Sequence, residues 1–199
     1  MLAENIWFHQ PVVKSWGWGK SLYSGCVAAV RSLISNIEPD IVHGQGTERE
    51  CALAAAYSGY PNVITIHGNM KELRHLKVLS EPYGSIASLL ESHALKKTGG
   101  VFCNSRYTRS LVEGRTLKCW EIPNPIRASF FTVPSFPRVR TEYPTLLNIG
   151  VISPRKRQLE ILRLSEKLFK RGYAHKMVFI GHLDRDSTYG GEFSREMEK

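Results

Sequence analysis

The stretch from Tyr143 to Phe169, YPTLLNIGVISPRKRQLEILRLSEKLF, allows fewer architectures than any other part of the chain. Thr145 to Val151 is a short apolar run, punctuated by Gly150 and Ser153-Pro154. From Arg157 the pattern turns helical, with Ile161, Leu162, Leu168 and Phe169 on one broad face. The unit reads as strand, loop, helix. Arg155 and Lys156 sit in the loop where the next helix's unpaired N–H groups would point, so dipole and fixed charge converge on a phosphate-sized position. A solvated basic loop ahead of an ordinary amphipathic helix fits the same residues equally well.

The alternation is already running upstream. Residues 5–13 suit a strand or edge segment, and a helix from Leu22, with Cys26, Val27, Val30, Leu33, Ile34 and Ile37 on one face, ends at Pro39. Between them, Gly19-Lys20-Ser21 invites comparison with a phosphate-binding P-loop, but the glycine that pattern needs is Lys14. Asp40 to His43 then reads as a buried strand and Gly44-Gln45-Gly46 as a turn, with Thr47 and Glu50 forming a capping box for a helix from Glu48 to Tyr57. Val63 to Ile66 is the next strand, followed by His67-Gly68-Asn69. Two strands thus end in His-Gly, and ligands of open parallel sheets bind outside the carboxyl ends of the strands. His43 and His67 are therefore expected to face one crevice. Residues 71–97 are helical with a break at Pro82-Tyr83-Gly84, Val101 to Cys103 is a strand, and Asn104-Ser105 caps the helix after it. The Pro- and Arg-rich stretch 132–144 reads as an interdomain linker between residues 1–131 and 145–199.

Composition narrows the function classes. With 199 residues, 42% of them hydrophobic, the chain suits one large globular domain or two small ones. Cys26, Cys51, Cys103 and Cys119 lack close pair spacing, which predicts reduced core thiols, no disulfide and no metal site. No stretch reaches membrane-span length and the start is unlike a signal peptide, so a cytoplasmic protein is expected. The formal charge of +9 suits phosphorylated ligands or peripheral contact with the inner membrane face. Nucleic acid ranks last, because the basic residues are scattered and not interleaved with aromatics.

Taken together, PDIVHGQGTE (Pro39 to Glu48), TIHG (Thr65 to Gly68), VFCNSRYTRS (Val101 to Ser110), IPNPI with the later Phe130-Phe131, and NIGVISPRKRQLEIL (Asn148 to Leu162) resemble the retaining family-4 glycosyltransferases. The resemblance implies the two-domain GT-B fold. The expected class is α/β with a doubly wound, Rossmann-like parallel sheet for the N-terminal domain, followed by the start of a second α/β domain. It also implies transfer of a sugar from a nucleotide-sugar donor to a glycan or lipid-linked acceptor with retention of configuration and without a metal ion. Lys156 matches the lysine at the donor diphosphate. Arg155 stands in for an arginine that the family places where this chain has Val151. His67 matches the histidine near the transferred sugar, and His43, Gln45 and Asn69 are crevice neighbours shaping the acceptor side. The family's first strand with its Gly-rich loop and its spaced glutamate pair have no counterpart here. The expectation is therefore a fragment or truncated product, inactive alone or completed by another chain or a second copy.

Overall fold

The computed structural model describes residues 4–132 and 141–198, and the chain divides into two units, Met1–Ala128 and Ser129–Lys199. The linker expected at 132–144 falls largely on 133–140, outside the described residues.

In the first unit, four parallel strands lie side by side in chain order: β1 (Val42–Gln45), β2 (Asn62–Ile66), β3 (Val101–Cys103) and β4 (Cys119–Glu121). Helix α1 (Ser24–Ile34) precedes them, and α2 (Glu50–Ala56), α3 (Met70–His75), α4 (Tyr83–Lys97) and α5 (Arg106–Val112) fill the connections. Side chains alternate across a strand, so the register assigns each residue to a face. Ile64 and Ile66 pair with Val101 and Cys103 on one face, where they are fully buried against Ala52, Leu53, Ala55 and Ala56 of α2, Ala94 and Leu95 of α4, and Val112 of α5. Gly44 lets α2 approach β1. A Cβ there would meet the Cys51 carbonyl oxygen at 2.8 Å and the Ala55 methyl at 2.9 Å. The opposite face carries His43, Gln45, Val63, Thr65, Phe102 and Trp120, each exposed or half-buried. Strands in sequential order keep right-handed crossovers on one side, which explains the difference between the faces.

The second unit pairs β5 (Thr145–Ile149) with β6 (Lys176–Ile180) in parallel, with α6 (Gln158–Lys170) between them and α7 (Thr188–Met197) after. Ile152, Leu159 and Phe193 form its small core, joined by Leu162, Phe179, Leu183 and Tyr189. The α/β class and the parallel, Rossmann-like sheet are as the residue pattern led us to expect.

Several boundaries differ from expectation. Residues 5–13 form no strand beyond an isolated bridge at Ile6. The first strand starts and ends later than expected, so His43 lies inside β1 instead of at its end. The Thr47–Glu50 capping box is absent: α2 begins at Glu50 behind Arg49 without a side-chain cap, and Thr47 is buried and bonded elsewhere. The helical stretch 71–97 does divide near Pro82, into α3 and α4, and Ser105 Oγ accepts the Thr108 N–H at 3.2 Å to cap α5. Of the four free thiols, Cys26 and Cys103 are buried while Cys51 is exposed, because Cys51 falls on the outer side of α2.

Candidate functional site

At the carboxyl ends of β1 and β2 a chain of polar side chains runs across the uncovered sheet face. Thr65 Oγ1 lies 2.7 Å from His43 Nε2, and the Gln45 amide nitrogen sits 3.3 Å and 3.4 Å from the two nitrogens of the same ring. Gln45 Oε1 then lies 3.0 Å from His67 Nε2. The register creates this chain, since Gln45 pairs with Thr65 and His43 precedes Gln45 by two on the same face. The His43 and Phe102 rings meet edge to face with centroids 5.5 Å apart, and the Phe102 and Trp120 centroids are 5.6 Å apart, which fixes the His43 ring from the side. His67 itself is exposed just beyond β2.

The loop carrying His67 is held from beneath by Glu91 of α4, whose side chain is fully buried. Its Oε2 accepts the Met70 N–H at 2.7 Å and the Thr47 hydroxyl at 3.0 Å, while its Oε1 meets Arg115 Nη2 at 2.9 Å. Thr47 also lies 2.9 Å from the Gly68 carbonyl. One carboxylate thus ties the β1–α2 loop, the β2–α3 loop and the turn after α5 together. Residue type alone did not single it out. The available signal was a glutamate among Ala87, Ser88, Ala94 and Leu95 on the apolar side of a helix. Asn69 is buried; its Oδ1 accepts the Glu72 N–H at 2.8 Å to cap α3, and its Nδ2 has no hydrogen-bond partner among the described residues. Glu48, read only as part of a motif, packs its carboxylate against Gly46 and Gly68, with Oε1 3.2 Å from where a Gly68 Cβ would stand.

In the second unit, Arg155 and Lys156 are exposed in a single 3-10 turn, Pro154–Lys156. The loop beneath them is rigidly tied. Gln158, buried at the first position of α6, accepts the Ser153 N–H at 3.2 Å and donates to the Val151 carbonyl at 3.0 Å. Gly181 closes on Gly150 so tightly that a Cβ would collide with the Gly150 carbonyl. The helix end differs from the simple phosphate cradle expected. Arg157 takes a left-handed φ of 55° ahead of α6, and the Leu159 N–H is used by Tyr189 Oη at 2.8 Å. Burial pushes the Tyr189 phenol up, and it donates to Glu160 Oε2 at 3.1 Å.

Among the described residues, His43, Gln45 and His67 are therefore joined in one network, Asn69 lies beside it as a buried cap, and Arg155 and Lys156 belong to the other unit. No group of three potential metal-ligating side chains occurs, and no helix is long and apolar enough to cross a membrane, among the described residues.

A parallel sheet with polar groups gathered at its strand ends, followed by a second βαβ unit, has the layout of a GT-B glycosyltransferase. The model of Glycosyltransferase Family 4 matches residues 2–130, and the chain belongs to that family. Among solved structures, the chain is similar to sucrose-phosphate synthase from Thermosynechococcus elongatus, with a TM-score of 0.59 at 13% identity. That match covers 90% of this chain and 46% of the synthase, a likeness of fold. A match to Glycyrrhiza uralensis UGT73P12, complexed with glycyrrhetinic acid 3-O-monoglucuronide, has a TM-score of 0.48 at 17% identity, covering 96% of this chain and 50% of that one. The chain thus spans about half the length of these structures. No curated protein matches the sequence.

Proposed function

We propose that this chain serves a retaining glycosyl transfer from a nucleotide-sugar donor, a UDP- or GDP-sugar, to a glycan or lipid-linked acceptor in polysaccharide or glycolipid synthesis. The observation that carries the reading is the strand-end network that holds His67 exposed in a chain of this family. His67 would hydrogen-bond ring hydroxyls or a transition-state oxygen. His43 and Gln45 would order it from the sheet, and Asn69 would shape the acceptor side. Lys156, with Arg155, would meet the diphosphate, supplying as fixed charge what a metal ion supplies elsewhere, so the reaction takes no metal. On this reading residues 1–131 form the acceptor-side domain and 145–199 begin the donor-binding one.

A second reading is favoured by the uncovered sheet face, which leaves room for another polypeptide. It is a nucleotide-sugar-binding module completed by another polypeptide, with turnover only in that complex. The excess positive charge suits peripheral binding at the cytoplasmic membrane face. Calorimetric titration with UDP-glucose and GDP-mannose tests the proposal. Saturable binding to the chain, lost in Lys156→Ala, is expected; no binding, or binding indifferent to that substitution, rejects the donor-site assignment.

A further inference from the structure

We propose that Gln45 is a positioning residue. It holds His67 in the tautomer protonated at Nε2 and thereby presents Nδ1 as a hydrogen-bond acceptor to a hydroxyl-bearing ligand. A carboxamide oxygen only accepts, so the 3.0 Å contact between Gln45 Oε1 and His67 Nε2 places the ring proton on Nε2. Gln45 is itself oriented. Its amide nitrogen faces the His43 ring at 3.3 Å and 3.4 Å, leaving the oxygen for His67, and Thr65 Oγ1 and the Phe102 ring fix His43 in turn. His67 makes no other hydrogen bond among the described residues and is exposed, so its Nδ1 lone pair is open to a ligand.

The chemistry of that ligand follows from the groups around it. A neutral imidazole nitrogen accepts, and the Glu48 carboxylate, packed against Gly68, also only accepts, while the Glu48 backbone carbonyl takes the Tyr83 hydroxyl at 3.1 Å. An acceptor at His67, with the Glu48 carboxylate of the β1–α2 loop packed on the adjoining Gly68, selects a ligand that donates, such as the hydroxyls of a sugar or polyol, and disfavours a phosphate or carboxylate at this point. The identity of that ligand rests on the glycosyl-transfer reading, whereas the tautomer does not.

Imidazole nitrogen NMR on the isotope-labelled chain at about pH 8, above the usual histidine range, tests the assignment. The wild type is expected to show a protected N–H at Nε2 of His67 and an unprotonated Nδ1. Gln45→Glu, which keeps an acceptor, is expected to retain the signal. Gln45→Leu is expected to exchange that proton about tenfold faster, as loss of one hydrogen bond implies. A proton on Nδ1 of His67 in the wild type, or unchanged protection in Gln45→Leu, overturns the proposal. Failure of the nucleotide-sugar titration would overturn the transfer reading and leave the tautomer result standing.

Discussion

At the scale of single residues, Glu91 and Arg115 carry the largest expected energetic effect in the first unit. A carboxylate with no exposure is tolerated only because Arg115, the Met70 N–H and the Thr47 hydroxyl satisfy it together. Removing one partner leaves charge in a dry site. Arg115→Ala is expected to destabilise the first unit by roughly 3 kcal/mol, measured by urea denaturation, and a loss below about 1 kcal/mol would show that water replaces the guanidinium. Cys103 gives a pH signature. Burial first, and then the neighbouring Cys119, push its thiol up from 9.0 to about 11. Because the folded value is the raised one, the native state keeps this proton longer than the unfolded chain. The contribution is complete below about 9 and is lost as pH rises through about 11. Melting temperatures followed across that alkaline window are expected to fall more steeply for the wild type than for Cys103→Ala; parallel curves would reject the assignment.

At the scale of elements, the strand-to-helix connection from β5 to α6 is organised by Gln158 more than by its cations. Arg155 and Lys156 lie exposed at the top, and the shape of the turn depends on the carboxamide that bridges Val151 and Ser153. Gln158→Leu matches the volume but leaves a backbone donor and acceptor unpaired, a loss of about 1–3 kcal/mol in the second unit. Thermal unfolding should show that loss, and, on the proposed donor-site reading, nucleotide-diphosphate affinity should fall with it. Stability lost with unchanged affinity would mean the cations act independently of the turn. Hydrophobic periodicity marked α6 clearly, yet it gave no warning of Gln158, since a glutamine in a first helical turn reads as solvated.

At the scale of the molecule, each unit leaves part of its sheet unaccompanied. Parallel sheets are ordinarily covered on both faces, and here His43, Thr65, Phe102 and Trp120 line a face that no described helix covers. In the second unit Leu147 and Ile149 are 54% and 72% exposed. Light scattering at tens of micromolar is therefore expected to give a mass above the 22.5 kDa of one chain. Trp120→Lys, which places a charge on the uncovered face, should return the mass toward that of a monomer. A wild-type monomer at high concentration would reject association through this face.

The sequence by itself determined the class, the alternation of strands and helices, and the identities of β2 and β3, because short apolar runs bounded by Gly, Pro and capping residues are local signals. It also placed Gln45 and His67 near strand ends, while His43 proved to lie inside β1. Tertiary structure alone decided how they meet. The chain from Thr65 to His67 exists because the pairing register sets Gln45 opposite Thr65, and register is a relation between strands about twenty residues apart. The same reason explains Thr47, whose spacing to Glu50 is that of a cap but whose hydroxyl turns to Gly68 and Glu91 instead. The roles of Glu91 and Gln158 were not legible for a related reason: whether a buried polar group is a fault or a keystone depends on which backbone atoms other segments bring to it.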